Sequence, residues 1–244
     1  PYRYYEKYQI RRYGFHGTSH MFVSRRCADI TKFKASTLKL VTCHLGNGSS
    51  FAAVKGGKSV DTSMGLTPLA GIIMGTRCGD IDPAIVPYIA ELEGITCAEV
   101  DKIMNSESGV QGISGVSSDF RDLEDAAAEG NERAKLALSM FYYQTSKIIG
   151  SYAAVLNGLE ALVFTAGIGE NDPKLRQTVC DQLAYLGIKL DPEANKVRGE
   201  ERKISTEDSA VEVYVIPTNE ELSIARQTVE ILDLDKCNME DRPC

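Results

Sequence analysis

The sequence contains no apolar run long enough for a membrane-spanning helix, which excludes that class of membrane protein. It has no excess of positive charge. Against 27 Lys+Arg stand 34 Asp+Glu, a formal net charge of −7, and the pI is about 5.1. Nucleic-acid binding draws on clustered cations, so a protein whose main work is gripping a nucleic-acid backbone is excluded. A small anion held by one or two local arginines is not. The seven cysteines form no CxxC pair and no close Cys/His cluster. An odd number without a framework reads as reduced thiols and a cytosolic protein, not a zinc or disulfide scaffold. The opening segment, Pro1-Tyr2-Arg3-Tyr4-Tyr5-Glu6-Lys7-Tyr8, has neither an initiator Met nor the apolar stretch of a signal peptide. A chain that begins this way is expected to be a piece of a longer protein. No repeat, low-complexity tract or long linker is found. What is present is ordinary globular usage over 244 residues, 43% hydrophobic and 25% charged. That is enough for a large core in one large domain or two small ones.

Residues 38–43 read as a strand running into Gly46-Asn47-Gly48-Ser49-Ser50. Residues 51–54 and 59–62 flank Gly56-Gly57, a hairpin by turn chemistry. Asp82-Pro83 has the N-cap and first-position signature of a helix reaching about 93. A second helix starts near Ser118-Asp119 and stops by Gly130. A third is capped by Asn131 and ended by Gly158. Its Ala134, Leu138, Phe141, Thr145, Ile148, Tyr152 and Val155 alternate steps of four and three, the period of one buried stripe. Residues 162–166 form a short apolar strand bounded by Gly167-Ile168-Gly169. Asp172-Pro173 opens a helix to about 186, strands follow at 188–190 and 211–216, and a helix runs from 219 to 232. Strands alternating with helices predict an α/β layered fold.

Three glycine-bearing turns follow predicted strand ends, where open α/β sheets bind ligands. The first is His44-Leu45-Gly46-Asn47-Gly48-Ser49-Ser50. Its bare backbone amides and two hydroxyls suit a phosphate, while Asn-Gly equally marks a plain hairpin. The second, Gly167-Ile168-Gly169-Glu170-Asn171-Asp172, imitates a dinucleotide fingerprint, with Asp191 near the position of a ribose acid. However, Asp172 puts a carboxylate at the helix pole where a pyrophosphate would sit, which makes a hydride-transfer enzyme the weaker reading. The third holds Arg77 between Gly75 and Gly79, either a phosphate clamp or a solvated surface charge. Of only three histidines, His16 and His20 fall four apart. That spacing suits a metal pair if helical, yet Gly14 and Gly17 argue against a helix there.

Taken together, Arg12-Tyr13-Gly14-Phe15-His16-Gly17-Thr18-Ser19-His20, the 44–48 turn, Gly75-Thr76-Arg77-Cys78-Gly79-Asp80-Ile81-Asp82-Pro83, Asp119-Phe120-Arg121, Gly167-Ile168-Gly169-Glu170-Asn171 and Thr218-Asn219-Glu220-Glu221 closely resemble the acetate kinases, in that family's order and spacing. The resemblance covers the chain to about Leu232.

The resemblance implies an actin-like or sugar-kinase-like ATPase lobe, a ribonuclease H-like mixed sheet flanked by helices. Residues 1–218 would be the second lobe of a two-lobed enzyme, and 219–244 a closing helix and tail that packs on the first. It implies ATP-dependent phosphorylation of acetate to acetyl phosphate with Mg2+. His44, Leu45, Gly46, Asn47 and Gly48 match the phosphate turn, Asp119, Phe120 and Arg121 the adenosine contacts, and Gly167, Ile168, Gly169, Glu170 and Asn171 the loop along the nucleotide. Glu220 matches the magnesium-site acid, His16 and Arg77 the transition-state stabilisers, and Phe15 and Pro68 part of the acetate-methyl pocket. A homodimer through this lobe and a cytoplasmic location are implied as well. Two residues depart from the family pattern: Cys78 stands where Ser is usual and Cys43 where Ala is usual, so altered redox sensitivity is expected. Without the first lobe, these 244 residues alone are expected to turn over negligibly. Propionate or butyrate kinase, and a non-catalytic nucleotide-binding module, are the rival readings.

Overall fold

The computed structural model describes residues 1–232. Six strands form one mixed sheet: β1 (Lys39–Leu45), β2 (Ser49–Lys55), β3 (Lys58–Thr62), β4 (Ala161–Thr165), β5 (Arg202–Lys203) and β6 (Glu212–Val215), in the order β3-β2-β1-β4-β6-β5. The first three make an antiparallel meander, β4 and β6 run parallel to β1, and β5 is an antiparallel edge. This is the ribonuclease H-like arrangement of the actin and sugar-kinase lobes.

The central strands are apolar on both faces because both are covered. From β1, Val41, Cys43 and Leu45 enter the larger core with Phe51, Ala53, Leu162, Phe164, Val213 and Val215. Leu40 faces the opposite way, with Ala52, Val54, Ala161, Val163 and Tyr214. The period of two therefore places Thr42 and His44 on that second face.

The helices are α1 (Tyr2–Tyr8), α2 (Gly17–Ile30), α3 (Ile85–Glu93), α4 (Cys97–Ser106), α5 (Gly109–Ser114), α6 (Phe120–Ala128), α7 (Glu132–Val155), α8 (Ala166–Asn171), α9 (Pro173–Gln182) and α10 (Glu220–Ile231). The larger core lies under α5, α6, α7 and α9, while α2 covers the second face and carries α10 on its back. The α7 stripe is buried as its period requires, except that Ile148 is half-buried and Val155, the last helical residue, is exposed. Phe141 stands edge-on to Phe120 at 4.6 Å between ring centres. Full burial of a side chain this size stabilises by about 1.5–3 kcal/mol. Asn131 caps α7 as expected, accepting from the amides of Arg133 and Ala134. Among the described residues no helix is long and apolar enough to cross a membrane.

Several local expectations are corrected. The helix expected from Asp82 begins at Ile85, because Asp82 closes a local turn on the Ala84 amide. Residues 188–190 form only a bridge from Leu190 to Ser205, since the Lys189 amide donates to the Ser209 hydroxyl instead of a strand. Gly17 does not prevent a helix but begins one, at a first position where its lack of a side chain costs little. Residues 167–171 are the short helix α8, not a loop. In the last helix Leu222, Ala225 and Leu232 are exposed and Val229 is half-buried. The helix docks on α2, with Gln227 Nε2 3.2 Å from Met21 Sδ, and Ser223 is its one buried residue. The tail at 233–244, with Cys237 and Cys244, lies outside the described residues.

Candidate active site

Strands β1, β4 and β6 are parallel, so their C-terminal ends meet at one edge of the sheet. That edge carries the 46–48 turn after β1, α8 after β4, and residues 217–220 leading into α10. Ala166 enters α8 at φ 65°, a left-handed value rare for a residue with a Cβ. The Glu170 carboxylate holds this corner, accepting from the Ala166 amide at 2.7 Å and the Thr218 amide at 3.2 Å. Glu170 Oε1 is thus committed to backbone.

A cavity of about 510 Å³ opens at this edge, lined by Gly46, Asn47, Asp119, Phe120, Arg121, Gly167, Ile168 and Asn171 of the expected nucleotide residues. His44, Leu45, Gly48, Gly169 and Glu170 do not line it. Leu45 is buried in the core, and buried Gly169 gives its carbonyl to Arg176 at 2.8 Å. Asp119 caps α6 and pairs with Arg121 at 2.5 Å, and that hydrogen bond holds its carboxyl down to about 2.

Four lining residues were missed: Ser118, Glu124, Asp172 and Arg198. Asp172 is the α9 cap anticipated from the sequence, with Oδ1 on the Leu175 amide at 2.8 Å. Its Oδ2 is buried without a partner, and burial raises its pKa. Arg198 gave no sequence signal, because nothing periodic marks residues 191–199. That segment is held by the fully buried Arg176, which donates to Asn195 Oδ1 at 2.9 Å and to the carbonyls of Asn195 and Val197, both at 2.7 Å.

On the α2 face of the same turn, all three histidines come together. His16 caps α2 at φ 58°, again left-handed, and its ring stacks on His44 with centres 4.0 Å apart. Strained backbone of this kind collects at functional sites. His16 Nδ1 lies 2.8 Å from Ser50 Oγ, and His44 Nδ1 lies 2.8 Å from Ser19 Oγ. Burial lowers all three pKa values, to about 3 at His20 and about 4 at His44, with Arg77 adding to the effect at His16. At neutral pH the three rings are uncharged.

Arg77 reaches the same place from a loop set by its backbone. The Met74 amide donates to the Arg77 carbonyl at 3.0 Å, the Cys78 amide to Met104 and the Ser108 amide to Thr76, both at 2.9 Å. Arg77 Nη1 donates to the Pro68 carbonyl at 3.1 Å. A Cβ added to Gly48 would sit 3.1 Å from Arg77 Nη1 and 3.6 Å from His16 Nε2. The two side chains therefore converge on the turn. Tyr13 and Gly14 donate to the Gly65 carbonyl, which brings the segments carrying Phe15 and Pro68 alongside each other. Cys78 is half-buried and Cys43 fully buried. Burial raises both thiols, which disfavours the reactive thiolate, so the expected redox sensitivity finds no support in either setting.

Gly75 seats this loop on the turn. Its amide donates to the Asn47 carbonyl at 3.0 Å, and a Cβ there would fall 1.8 Å from Asn47 Oδ1. Gly75→Ala is expected to turn the exposed Asn47 side chain aside and, with the Asn47 carbonyl 3.3 Å from the new Cβ, to shift the Arg77 loop slightly, lowering kcat/KM about tenfold, less than the roughly 100-fold of a misplacement near 1 Å. Steady-state kinetics of the complete protein check this, and an effect under threefold would contradict it.

Known proteins match this arrangement over nearly the whole chain. A family model described as "Acetokinase family" matches residues 1–226. A protein named acetate kinase from Dictyoglomus thermophilum is 61% identical over 232 residues, covering 95% of this chain and 58% of that protein. Another from Methanosarcina barkeri is 59% identical over 235 residues, covering 96% and 58%. The crystal structure of Porphyromonas gingivalis acetate kinase superposes with a TM-score of 0.92 at 47% identity, over 95% of this chain and 58% of that one. A propionate kinase from Francisella tularensis gives 0.86 at 44% identity, over 93% and 58%. The chain thus spans somewhat more than half the length of the relatives it matches. A single sheet edge that gathers the glycine turn at 46–48, the arginine loop and the histidine cap, and a family match spanning all three, make this chain a member of the acetokinase family.

Proposed function

We propose that the complete protein carrying this chain is an acetate kinase, moving the ATP γ-phosphoryl group in line and reversibly to acetate to give acetyl phosphate and ADP. The observation that carries this reading is the convergence of the Arg77 guanidinium and the His16 ring on Gly48. Phosphoryl transfer spreads negative charge over equatorial oxygens, so cations and donors placed there supply most of the catalysis. Acetate attacks as a carboxylate and needs no base. In this reading the 46–48 turn cradles phosphate. His44, against which His16 stacks, supports that turn from behind, as do Leu45 and Gly169 from the core. Phe120, Ile168 and Asn171 flank the nucleoside, and the unpartnered buried oxygen of Asp172 gives the cavity a polar group with capacity to spare.

Mg2+ keeps several waters and takes one or two carboxylates plus substrate phosphates. Glu220, first in α10 at the same edge, fits as such a single donor. Among the described residues no group of three or more potential ligands exists, and this mode of binding requires none. Phe15 and Pro68 would contact the acid's methyl group. Propionate is the second reading, favoured by the Francisella relative. One methylene is worth only about 1–3 kcal/mol of discrimination, so the two acids compete closely.

Residues 1–218 are in this view one lobe of two, and the segment from 219 is the closing element. A homodimer through this lobe is supported by α3, where Ile85, Tyr88 and Leu92 are all exposed. Buried reduced thiols at Cys27, Cys43 and Cys180 suit a cytoplasmic location. The test is formation of acyl phosphate from ATP with acids of two to four carbons, trapped as hydroxamate. The highest kcat/KM is expected for acetate. ATP binding without transfer to any of them would overturn the assignment in favour of a binding module.

A further inference from the structure

Behind His16 lies a line of side chains that the reaction as described does not use. His16 Nδ1 is 2.8 Å from Ser50 Oγ, Ser50 Oγ is 2.7 Å from His20 Nε2, and His20 Nδ1 is 2.8 Å from Thr42 Oγ1. The fold makes this line by period. Thr42 and Ser50 lie on the α2 face of neighbouring strands, and His16 and His20 are one turn apart at the start of α2. Every member except His16 is buried.

A neutral imidazole offers one donor and one acceptor, and a hydroxyl has a single proton. Ser50 can therefore donate to only one of its two rings, and the other ring must donate to it. The tautomers of His16 and His20 are locked together. Two directions satisfy the inner contacts, but only one satisfies the end. Among the described residues Thr42 Oγ1 makes no other hydrogen bond, so its proton has His20 Nδ1 as its acceptor. The reverse direction would bury that hydroxyl proton unpaired, which is costly.

We propose that Thr42, His20 and Ser50 are positioning residues that fix His16 in the tautomer whose Nε2–H points at the transferring group. The sense runs from the Thr42 hydroxyl to His20 Nδ1, from His20 Nε2–H to Ser50 Oγ, and from the Ser50 hydroxyl to His16 Nδ1. His16 is then an uncharged donor beside the Arg77 cation, with His44 stacked against its ring to hold the plane. No proton is transferred along the line. Its work is orientation, and it converts a ring that could present a lone pair to an anion into one that presents a proton.

The inference rests on the kinase reading, so the test has two independent readouts. The complete protein, labelled with 15N in its histidine rings, is examined by NMR near pH 7.5, with resonances assigned by substitution. Wild type is expected to show His16 protonated on Nε2, and Ser50→Ala and Thr42→Val a marked population protonated on Nδ1. In kinetics, Ser50→Ala is expected to lower kcat about 100-fold and Thr42→Val about tenfold, with KM for ATP moving less than about twofold. Thr42→Ser restores the hydroxyl and is expected to recover most of the rate. Thr42→Val keeps the shape of the buried site and covers the event that Ser50→Ala does not fold. An unchanged His16 tautomer in both variants overturns the proposal, as does Thr42→Ser as slow as Thr42→Val. A wild-type protein that transfers no phosphoryl group overturns the kinase reading alone, and the tautomer shift then decides the line of hydrogen bonds by itself.

Discussion

Replacing Arg77 with alanine in the complete protein is expected to lower kcat by about 10³–10⁴-fold, within the range of a guanidinium that neutralises a migrating phosphoryl group. The loop bearing it is fixed by backbone bonds to residues 104–111, none of which uses the side chain. The variant's thermal midpoint is therefore expected to fall by only a few degrees, since among the described residues the side chain's one strong contact is the Pro68 carbonyl and a single hydrogen bond is worth about 1 kcal/mol net. KM for ATP should change little, because the 510 Å³ cavity does not include Arg77 among its lining residues. Lysine at 77 should recover only part of the rate, as an ammonium lacks the planar fork. Stopped assays in both directions with a melting curve check this. A rate within tenfold of wild type would remove Arg77 from the chemistry.

The second large effect concerns the chain by itself. Supplied as these 244 residues alone, the protein is expected to form acetyl phosphate at less than about 10⁻⁴ of the complete protein's rate, because orienting both reactants can account for about 7–11 kcal/mol of a barrier. The relatives are longer, this chain spanning 58% of the Dictyoglomus protein, and in the two-lobed reading the acid and the γ-phosphate are held from both sides. The 46–48 turn, the cavity and Arg77 supply one side. Nucleotide should still bind, more weakly, which calorimetry can separate from turnover. A specific activity within tenfold of the complete protein would show that one lobe suffices.

Much of this was legible in the residues. The strand–turn–strand around 46–48, the capped α7 and the Asp172 cap all follow from local signals that tertiary structure did not override. The convergence of His16 and Arg77 was legible only by resemblance, because they lie sixty-one positions apart and no periodicity connects them. What the sequence concealed was long-range. The backbone role of Glu170 Oε1 is hidden because the Thr218 amide it accepts from lies forty-eight residues away. The buried Arg176 sits among apolar neighbours on α9, and only folding brings Asn195 and Val197 to satisfy it. Glycine 17 misled by identity, since its position at a helix start mattered more than its flexibility.

The backbone bonds that seat the arginine loop have a mechanical consequence. They come from the end of α4 and the start of α5, with Met104 holding Cys78, Ser108 holding Thr76 and Val110 holding Met74. Helix α4 is also the element on which α3 packs, and α3 turns Ile85, Tyr88 and Leu92 outward. A neighbour seated on α3 would thus press, through one intervening helix, on the carbonyls and amides that fix the Arg77 loop. In the dimer proposed above, two subunits meeting there would each carry a short lever ending at its own Arg77 loop.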